Sequence, residues 1–275
     1  MLRPRSRRHA HRALRPAALR RLLAAALTAA AALAETLASI DDVEGWLSIP
    51  QARRLWRAAH DAPGGGLVVE IGSFRGRSTI VLASAVASSV EVVAIDPHAG
   101  TDRGPQEIEG YQHQAATDHD VFNANLERAG VRERVRHVRA FSHDALADVE
   151  GDIDVLFIDG AHRYGPARDD IVSWGTRVRS GGTMLIHDAF SSVGVTLALL
   201  TTTFTGRDFE YVGRDGSLVE FRRTEVGGVR RLRNVLRQAA SLPWFARNVA
   251  IKVLTVAHLR PVARLLGHDT DEWPY

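Results

Sequence analysis

The segment EIGSFRGRST, from Glu70 to Thr79, follows an apolar run and has the residue types of a ligand-binding loop. Gly72 and Gly76 allow the backbone to turn tightly and to approach a bound molecule closely, and the helix expected after them presents free N–H groups. The spacing differs from the G-x-G-x-x-G pattern of dinucleotide-binding loops. Because Glu70 would repel a pyrophosphate, it favours a ligand with an amino or sulfonium cation.

Polar side chains also follow the next two apolar runs. Asp96 ends the second run, where a carboxylate can accept hydrogen bonds from both hydroxyls of a ribose or can cap the following loop. Ser142 and His143 follow the third run and suit the edge of an adenine ring, whereas the neighbouring Asp144 has the residue type of a helix N-cap. The loop from His98 to Gly110 is either a lid over such a site or a surface connection.

Acidic and imidazole groups follow the fourth and fifth apolar runs. Asp159 and His162 come after the fourth, and His187 and Asp188 come after the fifth. Because ligands bind beyond the carboxyl ends of parallel strands, we expect the two acids to face one crevice. Repulsion between them favours a bound cation, and an oxygen-rich site suits Mg²⁺ better than zinc.

The elements that must position these residues alternate between apolar runs and helical segments. Continuous apolar runs are typical of parallel strands that are buried on both faces, and the alternation implies helical crossovers. The sequence therefore predicts an α/β fold, a doubly wound, Rossmann-like, seven-stranded sheet. A turn at 214–217 predicts that the last strand is antiparallel to the rest. The predicted strands are 67–71, 91–95, 135–140, 153–158, 183–186, 209–212 and 218–221, and the predicted helices lie at 76–88, 112–129, 144–149, 166–178 and 193–203.

We divide the chain into three parts. Residues 1–62 form a basic segment with helices, 63–224 the ligand-binding domain, and 225–275 a basic helical tail. The first 21 residues hold eight arginines and no acid, followed by an alanine- and leucine-rich stretch that predicts a helix or, alternatively, a signal peptide. A second helix is predicted up to His60, with Ser48 as its cap and Pro50 in its first turn.

Charge and composition restrict the partners. Both ends of the chain are basic and the part between them is acidic, which makes that part a poor surface for nucleic acid. With no cysteine, the chain has no disulfide and no thiolate chemistry. The tail predicts two basic amphipathic helices, which either lie on an anionic membrane face or pack on the domain or on a second subunit.

Taken together, the motifs resemble those of class I S-adenosyl-L-methionine-dependent methyltransferases, and among these the catechol-type O-methyltransferases. Residues 70–78 are similar to the first motif, and Asp159 with His162 and Asp188 are similar to the motifs after strands four and five. The resemblance covers about residues 65–222 and points to the broad bacterial methyltransferase-24 type of domain. It implies a transferase.

The resemblance also implies how the cofactor is bound. Asp96 would bind the ribose hydroxyls of S-adenosyl-L-methionine, and Ser142 with His143 would flank the adenine. The methionine part would be held by Glu70, Gly72, Ser73, Phe74, Gly76 and Ser78. Since this cofactor is made and kept inside cells, the resemblance implies a cytoplasmic enzyme, with its basic ends available to the inner membrane face.

Catalytic roles follow from the same resemblance. Asp159 and Asp188 would ligate a divalent cation such as Mg²⁺, and His162 falls where catechol-type enzymes place a lysine base. The only lysine of the chain, Lys252, lies in the tail, so His162 would serve, and its ordinary pKa of about 6.5 suits that role. The asparagine ligand of the catechol type falls on Ala189, which leaves the metal requirement open.

The expected function is O-methylation of a small-molecule or sugar hydroxyl. His187 could replace the missing metal ligand, although strand alternation could turn it to the other face of the sheet. One rival function is that of an NAD(P)-dependent oxidoreductase, which the glycine spacing disfavours. Another is a non-catalytic Rossmann-like protein tethered through its basic ends. A homodimer and peripheral membrane contact are both compatible with the tail.

Overall fold

The computed structural model describes residues 16–99 and 111–267. The arginine-rich start, most of the proposed lid between His98 and Gly110, and the last eight residues lie outside the described part. The described helices are Pro16–Ser39 (α1), Ile49–His60 (α2), Arg77–Ala85 (α3), Tyr111–Arg128 (α4), Tyr164–Gly175 (α5), Val193–Thr201 (α6), Gly228–Ala239 (α7), Leu242–Val256 (α8) and Arg260–Leu265 (α9). The strands are Leu67–Ile71 (β1), Glu91–Ile95 (β2), Val135–Val138 (β3), Ile153–Ile158 (β4), Val178–Ile186 (β5), Phe209–Asp215 (β6) and Leu218–Arg223 (β7).

The seven strands form one sheet in the order β3-β2-β1-β4-β5-β7-β6. The first five pair in parallel, and β7 is antiparallel to both β5 and β6. This confirms the predicted Rossmann-like sheet with an antiparallel last strand. The strand order reverses between β1 and β4, which is where ligands bind in open α/β sheets.

Helices cover both faces of the sheet. One buried core joins alternate strand residues such as Val68 and Phe157 to α2, α3 and α4, and the other joins residues such as Val69 and Ile158 to α5 and α6. Because successive strand side chains point to opposite faces, every central strand is buried on both sides. The short runs of apolar residues in the sequence follow from this arrangement.

The N-terminal helices pack on the sheet. Pro50 occupies the first turn of α2, and the Ser48 N–H donates to Gln51 Oε1 at 2.8 Å in a capping box. Arg54 on α2 forms ion pairs with Asp215 at 2.6 Å and Glu220 at 2.5 Å. These contacts tie α2 to the hairpin of β6 and β7.

Several elements differ in extent from the prediction, among them β5 and the tail. Strand β5 begins at Val178, five residues earlier than predicted, because the polar residues 179–182 continue the strand through an irregular register opposite Ile153 and Val155. The tail forms three helices rather than two, since Pro261 starts a separate short helix. In the described part of the chain, no helix is both long and apolar enough to cross a membrane.

Candidate active site

A cavity of about 420 Å³ opens at the carboxyl ends of the parallel strands. Loops that follow β1, β2, β3, β4 and β5 line it, and the loop before α2 closes one side. A volume of this size is typical of a pocket for a small ligand. Of the predicted site residues, the cavity is lined by Gly72, Ser73, Phe74, Ser78, Asp96, Ser142, His143, Asp159, His162 and Asp188.

The loop after β1 depends on its glycines. Gly72 has φ +85°, and a Cβ there would lie 2.4 Å from the backbone oxygen of Asp159, so only glycine lets the β1 and β4 loops approach this closely. Gly76 has φ +87° and is the N-cap of α3, where a Cβ would meet Leu126 at 2.6 Å. Gly76 therefore shapes the loop from behind, because it does not line the cavity.

Asp96 at the end of β2 holds the same loop through its carboxylate. Its Oδ2 accepts hydrogen bonds from the N–H groups of Ser73 at 2.9 Å and Phe74 at 2.8 Å, and its Oδ1 accepts one from the His98 N–H at 2.7 Å. Phe74 and His98 both have positive φ, at 45° and 49°. The carboxylate thus fixes two strained backbone positions, and its remaining lone pairs are available to the cavity.

Glu70 lies beneath the cavity and does not line it. Its side chain is fully buried and accepts a hydrogen bond from Thr79 Oγ1 at 2.5 Å. Burial raises the pKa of Glu70 to about 7, against the opposing effect of the hydroxyls of Ser78, Thr79 and Ser73. A cation bound above this carboxyl would favour its ionised form.

Ser142 and His143 lie on another side of the cavity. The Ser142 hydroxyl donates to the carboxylate of Asp170 on α5, and the His143 ring stacks on Phe141 with centroids 5.8 Å apart. Burial raises the pKa of Asp170 to about 6. The sequence analysis missed Asp170, although its position gave a clue: it shares the helical face of Ala167, Ile171 and Trp174, which is otherwise apolar.

Two acids and two histidines form a compact polar cluster at one end of the cavity. His162 Nε2 lies 2.5 Å from Asp188 Oδ2, and His187 Nδ1 lies 3.1 Å from Asp159 Oδ1 and 3.6 Å from Asp188 Oδ2. The crevice thus brings together the polar ends of β4 and β5. The imidazole of His187 faces both acids, whereas Ala189 offers no donor atom from its side chain.

The residues of this cluster strongly affect one another's ionisation. Burial alone would lower the pKa of His187, but the carboxylates of Asp159 and Asp188 raise it well above its ordinary value. Burial would likewise raise the pKa of Asp188, yet His187 and His162 hold it well below its ordinary range. Asp188 is therefore an anion that orients His162.

Helix α6 sets the position of His162. Ser192 Oγ donates to the backbone oxygen of His162 at 3.1 Å. Gly194 allows the helix to come this near, because a Cβ there would lie 2.2 Å from the same oxygen. The first turn of α6 thus fixes the loop that carries His162.

The loop before α2 forms one side of the cavity, which the sequence analysis did not foresee. Arg77 on α3 donates to the backbone oxygens of Ile40 at 2.7 Å, Val43 at 2.5 Å and Leu47 at 3.1 Å. This places Trp46 over Phe74, with ring centroids 5.4 Å apart and planes 28° apart. The pair forms an aromatic wall beside the β1 loop.

Lys252 lies in the tail, as the sequence analysis stated, but its contact with the site was not foreseen. It lies on α8, and its ammonium donates to the backbone oxygen of Ser191 at 3.0 Å, while Asn248 donates to that of Phe190 at 3.3 Å. Burial lowers the pKa of Lys252, and the charge of Asp188 opposes that shift. The tail thus supports the turn after β5, in which Asp188 and Phe190 have positive φ of 55° and 58°.

Comparison with known proteins agrees with this geometry. A family model described as "Methyltransferase domain" matches residues 69–189, from β1 through the turn after β5. This segment is therefore similar to methyltransferase domains. The match contains the glycine loop, Asp96 and the polar cluster.

Solved structures share the fold of this chain. The O-methyltransferase NovP matches with 21% identity and a TM-score of 0.52, over 65% of this chain and 81% of that one. A protein from Corynebacterium glutamicum matches with 15% identity and a TM-score of 0.51, over 72% of this chain and 91% of that one. The sheet and its helices thus have the same fold as these two structures.

Proposed function

We propose that the chain transfers a methyl group from S-adenosyl-L-methionine to a hydroxyl oxygen of a small molecule or sugar, in the cell interior where this cofactor is made. The observation that carries the proposal is the pair of His162 and Asp188, 2.5 Å apart at the edge of the cavity. A histidine held by a buried carboxylate is suited to accept a proton from a hydroxyl.

The cofactor would occupy the cavity along the ends of β1, β2 and β3. Asp96 lines the wall and keeps lone pairs for the ribose hydroxyls, and Ser142 with His143 would border the adenine. The methionine part would lie over Gly72, Ser73, Phe74 and Ser78. Buried Glu70 would interact with its cationic groups from below, across the hydroxyls that separate it from the cavity.

In the proposed reaction, the acceptor oxygen attacks the methyl carbon in line with the carbon–sulfur bond. The carbon–oxygen bond forms as the carbon–sulfur bond breaks, the sulfur leaves as a neutral thioether, and His162 takes the hydroxyl proton. Because the methyl group is already activated, alignment of the two reactants supplies much of the rate. Asp188 stabilises the imidazolium that results.

The same cluster fits a divalent cation. Asp159, His162 and Asp188 each offer a donor atom within 4.8 Å of the others, and Asp188 Oδ1 is buried without a hydrogen-bond partner among the described residues. Two oxygens and one nitrogen are suitable ligands. When bound, such an ion would lower the pKa of the acceptor hydroxyl, and His162 would then be a ligand rather than the base.

The test begins with calorimetry of S-adenosyl-L-methionine and its demethylated product on the full chain. A panel of hydroxyl acceptors then follows with methyl-labelled cofactor, with and without EDTA and with Mg²⁺ added back. Binding with transfer to an oxygen supports the proposal, and loss of transfer in EDTA with recovery in Mg²⁺ shows that the reaction needs a divalent ion. If neither form of the cofactor binds, the non-catalytic alternative is favoured. If an absorbance assay shows that the chain reduces NAD(P)⁺, the oxidoreductase is favoured.

A further inference from the structure

Helix α7 turns an apolar row away from the protein. Val229, Leu232 and Leu236 are 85%, 61% and 60% exposed, and their spacing of three and four residues places them on one face. The opposite face buries two polar residues, Asn234 and Gln238. Two polar residues of this amphipathic helix thus point inward, and part of its apolar side points outward.

Polar contacts hold α7 in this orientation. Asn234 accepts a hydrogen bond from the Tyr211 N–H at 2.7 Å, and Gln238 Oε1 accepts one from the Thr203 hydroxyl at 2.9 Å. Val235 and Ala239, on the side of the helix, pack against the core. The row of Val229, Leu232 and Leu236 is therefore not needed to attach the helix.

Basic residues flank the row. Arg230, Arg233 and Arg237 each follow one member of the row, so they form a parallel line along the helix. Arg230 donates a hydrogen bond to the carboxylate of Glu210. Arg237 donates one to the backbone oxygen of Val212, a contact that does not neutralise the charge of Arg237. Between Val226 and Gly267 the sequence has eight basic residues and no acidic one.

Exposed apolar side chains continue on α8 and α9. Val253 and Val256 are more than half exposed, and Leu265 is 85% exposed. Exposed aliphatic side chains are thus found on each helix of the basic tail. Contiguous apolar rows beside cations are typical of helices that lie in the interface of a membrane.

We propose that α7 binds the surface of an anionic lipid bilayer, with the row of Val229, Leu232 and Leu236 inserted among the headgroups and the arginines facing lipid phosphates. The positive charge of α7 favours an anionic bilayer over a second copy of the chain as the partner of this row. An antiparallel twofold contact through the row would bring the arginine lines of two copies together on one side, and neither twofold contact would give these arginines an acidic partner from α7, which has none, whereas an anionic bilayer attracts them. The methyltransferase would then work on an acceptor at or near a membrane.

The test measures sedimentation of the full chain with vesicles of phosphatidylcholine alone or with about one third phosphatidylglycerol. We expect binding to the anionic vesicles that falls at high salt. The double variant Leu232→Ser/Leu236→Ser should reduce their partition coefficient by about tenfold or more, because two apolar side chains no longer insert. Arg233→Gln should lower it several-fold, by ~3–5-fold for one interfacial charge.

Single variants give a matched control. Leu197 is exposed on α6, which has no arginine, so Leu197→Ser should leave binding unchanged while Leu236→Ser weakens it. Equal loss in both variants, or binding that survives the double variant, overturns the proposal. So does sedimentation equilibrium in which the wild type is a dimer and the double variant a monomer, since the row then joins two copies.

Discussion

The imidazole of His162 lies 2.5 Å from the buried carboxylate of Asp188, across the ends of two adjacent parallel strands. Although the two residues are 26 positions apart in the sequence, they can act together, with His162 as the proton acceptor and Asp188 as the group that orients it. If it acts as the base, His162→Ala should leave the affinity for S-adenosylhomocysteine within about twofold and lower kcat by about 100-fold or more, as loss of a general base does.

The measurement is calorimetry together with turnover of the acceptor found in the panel. His60→Ala is the control, because His60 is exposed on α2 and does not line the cavity. Full turnover by His162→Ala would assign the proton to another group.

Asp96 holds the loop after β1 and is also expected to bind the ribose hydroxyls, which leads to a second prediction. Asp96→Ala removes the acceptor of three backbone N–H bonds and the expected acceptor of the ribose hydroxyls. We expect the affinity for S-adenosylhomocysteine to fall by about 100-fold, as for two charge-assisted hydrogen bonds, and the melting temperature to fall as well. Asp144→Ala, at an exposed neighbouring acid, is the control. Unchanged affinity would remove Asp96 from the cofactor site.

Lys252 supports the catalytic turn from a different part of the chain. Because its ammonium bonds to Ser191 and lies near Asp188, Lys252→Met should lower the free energy of unfolding by about 1 kcal/mol and lower kcat more than the affinity for S-adenosylhomocysteine. Lys252→Arg should restore part of kcat. Arg264→Gln removes an equal charge from exposed α9 and should change neither quantity; equal effects of both substitutions would contradict the prediction.

The sequence was sufficient for the centre of the sheet because β1 and β4 are short apolar runs buried on both faces. Val69 and Ile158 are recognisable without knowledge of their partners. Lys252 and Trp46 were not predicted at the site, since their contacts join segments that are far apart in the sequence and depend on how α8 and the loop before α2 pack. Asp188 has a positive φ of 55°, so the regular alternation of strand side chains does not continue from His187 to Asp188 and could not predict how both face the cluster.

The burial of Glu70 predicts an unusual dependence of stability on pH. Its pKa is about 7 in the folded chain and 4.5 in the unfolded chain. Since the unfolded chain loses this proton first, stability is fully present below pH 4.5 and is lost as the pH rises through 7. Glu70→Gln should remove that loss, on the order of 2–3 kcal/mol between pH 5 and 8.

Chemical denaturation at pH 5, 6.5 and 8 checks this prediction. Glu127→Gln, at an exposed acid of α4, should follow the wild type at every pH. Parallel curves for Glu70→Gln and the wild type would show that Glu70 ionises normally in its buried position.

Close approach of two loops gives the last prediction. Gly72 and Gly65 both have positive φ, +85° and +76°, but a Cβ at Gly65 meets nothing within 4 Å, whereas one at Gly72 lies 2.4 Å from the Asp159 oxygen. Gly65→Ala should therefore cost only the backbone strain, about 1–2 kcal/mol. Gly72→Ala should cost more and abolish cofactor binding, because the β1 loop must move away from the β4 loop. Equal unfolding free energies for the two variants would show that backbone strain, and not the contact with Asp159, is what requires glycine at position 72.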